Sequence, residues 1–236
     1  DQIIHDVCLQ NLHVVFCLDR GGFVGDDGAT HHGVFDLSYL RSIPNMMVMA
    51  PKDENELQHM LKTAVDAGGP VAVRYPRGNG QGVSLDYEPH LLPIGRGEIL
   101  REGDELAVIA IGATVYPALA AAEELRKEGI AIRVINARFV KPLDRELIRE
   151  TAGKFKKLIT VEENVRMGGF GSAVMELLAV EEMSDVRIRI SGIPDVFVEH
   201  ATQQELRRQA GIDRNHILAA ARELISESGQ RATVAC

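Results

Sequence analysis

The sequence predicts an α/β protein built as two units, each a parallel or mixed sheet flanked by helices. Three observations carry that prediction. Short apolar runs of strand length alternate with longer stretches whose apolar residues recur at helical spacing. The alternation is interrupted once, at "PRGNGQGVSLDYEPHLLPIG", where glycine, proline and polar residues run on for longer than a usual connection within a domain. A second alternating set then follows. The division expected is residues 1–77, a linker over 78–95, and a second domain over 96–236.

The first unit opens on "DQIIHDVCLQ", which reads as a helix already in progress, with Ile3, Ile4, Val7 and Cys8 on one face. The chain is therefore expected to begin inside a domain. "LHVVFCLD" is apolar and ends in polar residues, as a buried parallel strand does. "VFDLSYLRSI" reads as a short helix and "MMVMAP" as a second buried strand. Asp53 then opens a helix in a capping box with Glu56, and Leu57, Met60, Leu61, Ala64 and Val65 form its apolar stripe. Gly68 and Gly69 stop that helix before a third strand, "PVAVRY". The order β-α-β-α-β calls for parallel pairing with right-handed crossovers.

In the second unit, "GEILREGDELAVIAIG" reads as two strands around a Gly-Asp turn. "YPALAAAEELRKEG" is a helix ended by Gly129, and "IAIRVINA" is a strand. Helix "DRELIRETAG", strand "KLITVEE", helix "GSAVMELLAVEE" and strand "VRIRISG" follow. Two helices close the chain, "TQQELRRQAG", with a capping box from Thr202 to Glu205, and "RNHILAAARELIS".

A net charge of −8 argues against a nucleic-acid surface, which needs a basic field, so any anion site must be local. No apolar run approaches the length of a membrane span. Cys8, Cys17 and Cys236 show no paired spacing and read as buried or terminal thiols in a reducing compartment, with no metal site among them.

"DRGGFVGDDGATHHG", Asp19 to Gly33, is the stretch that calls for chemistry. Ligands of open parallel sheets sit beyond the carboxyl ends of the strands, where loops converge. Arg20 follows the first strand, Arg77 follows the third, and parallel strands bring both to one rim. Two guanidinium groups at a shared rim suit a phosphate, which each can hold through paired hydrogen bonds. Asp27 and His31 in the same loop suit proton transfer, because imidazole titrates near neutrality and a carboxylate can orient it. Arginines after strands also pair with surface acids, and Asp-Gly is common in turns, so spacing alone leaves an ordinary polar turn open. His32, beside His31, should point away from it, and His5, His13, His59, His90 and His216 have no partners at telling spacing. "GGFGS", Gly168 to Ser172, has neither the full dinucleotide spacing nor a P-loop lysine; tight strand-to-helix packing explains it better. In the pair Glu162–Glu163, one carboxylate is expected to face solvent.

The blocks "DRGGFVGDDGATHHGVFDLSYLRSIPNM", "APKDENEL", "AVRYPRG", "ARFVKPLD", "TVEEN", "GGFGSAVMELL" and "GIPDVFVEH", in this order, resemble the 1-deoxy-D-xylulose-5-phosphate synthases over nearly the whole chain. Transketolases and the β subunits of 2-oxo acid dehydrogenases share the architecture but match these phrases less closely. The resemblance implies part of a transketolase-like pyrimidine-binding domain (1–77) followed by a transketolase C-terminal-like domain (96–236). It implies a thiamine-diphosphate-dependent transferase that condenses pyruvate with glyceraldehyde 3-phosphate, losing carbon dioxide, for isoprenoid and thiamine biosynthesis. Arg20 and Arg77 would hold the aldehyde substrate's phosphate; Asp27 and His31 would assist proton transfers. The family's cofactor residues, the glutamate and ring-stacking aromatics for the aminopyrimidine and the G-D-G…N motif for diphosphate and Mg²⁺, have no counterpart here. No residue of this chain is therefore expected to bind cofactor or metal by motif, and the chain alone is expected to be inactive. A missing N-terminal domain and a homodimer are the expected partners. The location implied is the bacterial cytoplasm, or a plastid. A different thiamine-dependent transferase and a non-catalytic phosphate-binding module are the competing readings.

Overall fold

A computed structural model describes residues 1–226 of the chain. A short π-helical segment, Ile3–Cys8, leads into β1 (Val15–Leu18), α1 (Asp36–Arg41), β2 (Met47–Met49), α2 (Glu54–Asp66) and β3 (Val71–Arg74). Residues 75–97 hold neither helix nor strand. The chain resumes with β4 (Glu98–Arg101), β5 (Ala107–Ala110), α3 (Val115–Lys127), β6 (Arg133–Asn136) and β7 (Phe139–Lys141). Then come α4 (Arg145–Phe155), β8 (Lys157–Val165), α5 (Phe170–Val180), β9 (Arg187–Ile193), α6 (Gln203–Gln209) and α7 (Arg214–Ser226). No helix among the described residues is long and apolar enough to cross a membrane. Cys236 lies outside the described residues.

Two mixed sheets result, with strand orders β1-β3-β2-β7 and β4-β6-β5-β8-β9. In the first, β1, β3 and β2 are parallel, with Leu18 opposite Arg74 and Met49 opposite Val73. The fourth strand, β7, comes from beyond the linker and pairs antiparallel with β2. At three residues it is too short to stand out in "ARFVKP", yet Phe139 and Val140 are buried. In the second sheet β6, β5, β8 and β9 are parallel, while β4 is an antiparallel edge on β6.

Two strand readings change in detail. β4 and β5 do not pair with each other: β5 is buried throughout and takes the centre, whereas partly exposed β4 crosses to the far side of β6. Gly103 permits that crossing, since a Cβ there would lie 2.6 Å from the backbone nitrogen of Arg133. β1 is parallel but not buried, because it lies at the sheet edge, and Cys17 on it is exposed where a buried thiol was expected.

The two units share their interior. Phe23 and Val34, from the glycine-rich loop, are buried in one apolar cluster with Val161, Val165, Leu206 and Ile217. Leu37 and Leu40 of α1 pack in a second cluster with Phe170, Val174 and Ile109. The capping box at α2 forms by half: Asp53 Oδ1 accepts from the Glu56 N–H at 2.8 Å, but the Glu56 carboxylate turns elsewhere. It is buried, accepting from the Lys52 N–H (2.7 Å), Asn136 Nδ2 (2.8 Å) and Arg138 Nε (2.7 Å), and so ties α2 to β6.

Arg74, the last residue of β3, is buried. Its Nε donates to both oxygens of buried Asp36 at 3.2 and 3.0 Å, and its terminal nitrogen Nη2 donates to the carbonyls of Gly33 (2.9 Å) and Glu163 (2.7 Å). One guanidinium thus joins the first sheet, α1, the glycine-rich loop and β8. Arg74→Met keeps the apolar stem but leaves the Asp36 carboxylate unpaired, so it should destabilise the fold by about 3–5 kcal/mol. Urea denaturation followed by circular dichroism checks this; a loss below about 1 kcal/mol, the usual value of an exposed pair, would contradict it.

Candidate active site

The loop after β1 is closed at its neck. Gly22 N–H donates to the Gly33 carbonyl (2.7 Å), and Gly33 N–H donates back to Gly22 (2.9 Å). Glycine is required here by close approach: a Cβ at Gly21 would lie 2.5 Å from Arg74 Nε, and one at Gly22, where φ is +83°, would lie 2.6 Å from the Glu163 carboxyl carbon. Within the loop, His32 is buried; its Nδ1 accepts from the Val24 N–H at 3.1 Å and its ring meets Phe23 edge-on at 5.3 Å. His32 therefore holds the loop's shape and points inward, and its neighbour points out.

His31 is exposed, with Nδ1 2.9 Å from the Thr30 hydroxyl. Asp27, also exposed, forms an ion pair with Arg77. Arg20, with φ of +59°, pairs with adjacent Asp19 at 2.5 Å, and both side chains are about half-exposed. Arg20 and Arg77 leave the carboxyl ends of β1 and β3, which are hydrogen-bonded neighbours. The pairing continues past the strands, as Gly21 N–H donates to the Tyr75 carbonyl at 2.9 Å. The structure thus brings Asp27 to Arg77 directly, and Arg20 to the same rim. It does not bring Asp27 to His31 by a hydrogen bond.

A buried polar layer lies beneath this rim. Glu162, Glu163 and Asn164 are all buried, so neither glutamate faces solvent as expected. β8 continues through Val165, which places the pair in the interior rather than at a strand end. Glu163 Oε1 accepts from the Phe23 N–H (3.1 Å), and the carboxylate receives both Arg207 Nε (3.0 Å) and Nη2 (3.1 Å). Asn164 Oδ1 accepts from the Leu37 N–H at the start of α1. Arg74, Glu163 and Asn164 carry the site's geometry, and the sequence reading did not single out Arg74 or Asn164. The available signal was an arginine inside the apolar run "PVAVRY", which burial obliges to find an anion.

Glu162 occupies the N-terminus of α5. Its oxygens accept from the Phe170 N–H (2.7 Å) and the Gly171 N–H (2.8 Å). The anion at "GGFGS" is therefore the protein's own carboxylate, and Gly171 serves close packing, since a Cβ there would lie 2.5 Å from Ile190. The turn does not fit a cofactor's diphosphate.

His59 and His90, which spacing left without partners, do meet. Their rings stack at 3.7 Å, and His59 Nε2 lies 2.9 Å from the Asp86 carboxylate. The three ligating groups sit close enough to raise a metal site. However, His59 Nδ1 accepts from the His90 N–H at 3.1 Å, so in the neutral ring Nε2 carries the proton and donates to Asp86. Stacked rings also aim their lone pairs side by side rather than at one point. The cluster fastens the linker to α2.

The comparisons with known proteins agree with this architecture. Residues 1–82 match the transketolase pyrimidine-binding domain and residues 95–217 the transketolase C-terminal domain. The chain is 60% identical over 236 residues to a protein of Syntrophus aciditrophicus named 1-deoxy-D-xylulose-5-phosphate synthase. It is 62% identical over 229 residues to 1-deoxy-D-xylulose-5-phosphate synthase 1 of Geobacter sulfurreducens. These matches cover 100% and 97% of this chain but 36% of each relative, so the chain spans about a third of their length. A solved structure described as a split-gene transketolase, inactive beta4 tetramer, superposes with a TM-score of 0.84 at 34% identity, covering 95% of this chain and 71% of its own. The chain belongs to the transketolase family, of which it holds the pyrimidine-binding and C-terminal domains, and it groups with proteins named 1-deoxy-D-xylulose-5-phosphate synthase.

Burial pushes the Glu162 carboxyl up to about 7, partly offset by the two N–H donors of α5. A carboxyl whose folded value lies above its unfolded value stabilises below the unfolded value and loses that stabilisation as pH rises through the folded one. Between pH 4.5 and 7.5 this group should therefore cost the fold roughly 3 kcal/mol in stability. Urea denaturation at pH 5, 6 and 7.5 should show the wild-type chain losing stability relative to Glu162→Gln as pH rises. A constant difference across that range would contradict the assignment.

Proposed function

We propose that this chain is the aldehyde-binding part of a 1-deoxy-D-xylulose-5-phosphate synthase, which condenses pyruvate with glyceraldehyde 3-phosphate and releases carbon dioxide. The observation that carries the reading is the rim itself. Arg77 holds Asp27 on a closed loop that also bears His31, with Arg20 just before its neck, beside two adjacent parallel strands. The identity to proteins of that name supports it. We further propose the division into residues 1–77, 78–95 and 96–236, supported by the two domain matches and the uncoiled stretch between them.

Thiamine diphosphate supplies the nucleophilic carbon when bound; no residue described here is assigned to it or to Mg²⁺. The chain's own residues act on the aldehyde. Arg20 and Arg77 each retain guanidinium N–H groups beyond those in their ion pairs, and these take the phosphate. Half-exposure of both side chains leaves them open to a ligand. As the carbon–carbon bond forms, the aldehyde oxygen gains an electron pair and needs a proton. His31, exposed and with Nδ1 at the Thr30 hydroxyl, presents Nε2 to deliver it. Asp27, fixed by Arg77, orients the substrate hydroxyl. The remainder of the protein and a second copy are the proposed partners. The unpaired outer edge of β1 and the tetramer named for the split-gene transketolase support that assembly.

Steady-state kinetics on the complete protein, with saturating pyruvate and varied triose phosphate, test these roles. Arg77→Ala should raise the KM for the triose phosphate by roughly thirty- to several-hundred-fold, because contacts to a group that does not react act as uniform binding. His31→Ala should lower kcat by about 10²–10⁴-fold with a smaller effect on KM. If His31→Ala leaves kcat intact, or Arg77→Ala leaves KM unchanged, the assigned roles are wrong. Absence of any triose-phosphate-dependent decarboxylation of pyruvate by the complete protein would overturn the reading as a whole.

A further inference from the structure

We propose that Gln203, the first residue of α6 in the second domain, is a positioning residue that sets the phosphate-binding rim of the first. Its side-chain amide nitrogen donates to the Phe23 carbonyl at 2.7 Å and to the Arg77 carbonyl at 2.9 Å. Those two acceptors belong to the two segments that build the rim: the closed loop bearing Asp27 and His31, and the strand exit bearing Arg77. An amide NH₂ has two hydrogens in a fixed planar angle. Spending one on each segment fixes their separation from a third, independent element.

The surroundings of Gln203 suit this role. A Cβ at Gly25 would lie 3.7 Å from its Cγ, and one at Gly78 would lie 3.6 Å from its Oε1, so the side chain sits between the loop and the chain after Arg77. Thr202 caps α6 by accepting the Glu205 N–H at 3.2 Å, which fixes the helix end from which Gln203 projects. The same helix reaches Phe23 a second time: Arg207 pairs with Glu163, whose Oε1 accepts the Phe23 N–H. α6 therefore holds both backbone polar groups of Phe23, one through Gln203 and one through Glu163. The Arg77–Asp27 pair spans the same gap at the surface, between half-exposed side chains. Exposed pairs hold geometry weakly. Gln203 is only partly exposed, and its amide adds to the Gly21–Tyr75 backbone bond a link between the two segments that is anchored in the second domain.

This inference rests on the reading of Arg77 as a phosphate ligand, and its test separates the two. Gln203→Met keeps the length and helix position but removes both donors; Gln203→Glu keeps the shape and replaces the donors with oxygens facing two carbonyls. Both are made in the complete protein and assayed with glyceraldehyde 3-phosphate and with unphosphorylated glyceraldehyde at saturating pyruvate. A positioning role predicts that Gln203→Met raises the KM for the phosphorylated aldehyde about tenfold. kcat with that substrate and the KM for glyceraldehyde should change less than twofold, with the melting temperature within a few degrees of wild type. Gln203→Glu should be at least as impaired toward the phosphorylated substrate. Equal losses toward both aldehydes, or a KM that does not move, would overturn the inference. If Arg77→Ala also fails to discriminate between the aldehydes, the phosphate reading falls first. Discrimination by Arg77→Ala without discrimination by Gln203→Met would sink the positioning role alone.

Discussion

The structure turns on one buried cation. The guanidinium of Arg74 sits where four pieces of chain meet, and its hydrogen bonds close three joints: to Asp36 at the start of α1, to Gly33 at the loop neck, and to Glu163 on β8. A charge withdrawn from water costs several kcal/mol unless its partners are well placed. Satisfying it therefore dictates much else. The carboxylate must be within reach at residue 36, the loop must fold back so that Gly33 presents its carbonyl, and nothing larger than glycine fits at residue 21. Gly21, which looks like flexibility in the sequence, is a consequence of that crowding. The neck of the loop is rigid because it wraps a buried side chain.

From that joint the site inherits its rigidity. Phe23, one residue past the neck, is fully buried in the core of the second domain, and its N–H goes to Glu163. His32, near the return of the loop, locks against Phe23 and the Val24 N–H. Between these anchors Asp27 and His31, both exposed, carry the candidate chemistry on a short span with both ends fixed. Reactive side chains held by an immobile frame lose little entropy when a ligand arrives. Two adjacent histidines thereby divide the work: one is sunk into the fold as an anchor, and the other is left at the surface with a free ring edge.

The sequence made the alternation of elements legible because strands and helices here are strongly patterned, and the capping residues Asp53 and Thr202 stand where the helices begin. It made the rim legible because parallel strands fix where their exits lie. Pairings that depend on distant partners were beyond it. β7 carries three residues and is a strand only because β2 offers an edge. Glu56 reads as half of a local capping box, yet it is drawn away by Asn136 and Arg138, some eighty positions further on. Glu162 and Glu163 look like a strand-end pair until the length of β8 is known. In each case the local rule was sound and tertiary context overrode it; for Glu56 the reason is a buried charge, since leaving it unpaired costs more than a cap contributes.

The same long-range contacts explain why the two domains belong in one functional unit. The first sheet borrows β7 from beyond the linker, the loop places Phe23 and Val34 in the second domain's core, and the second domain returns Glu163 and Arg207 to the loop. A sheet of four short strands with two open edges would be poorly able to hold a rim of exposed arginines by its own packing. Coupled to a five-stranded sheet through buried ions and shared apolar surface, it need not. The linker can then be long and glycine-rich without loosening the site, because the geometry is set by contacts across the interface rather than by the length of chain that joins its sides.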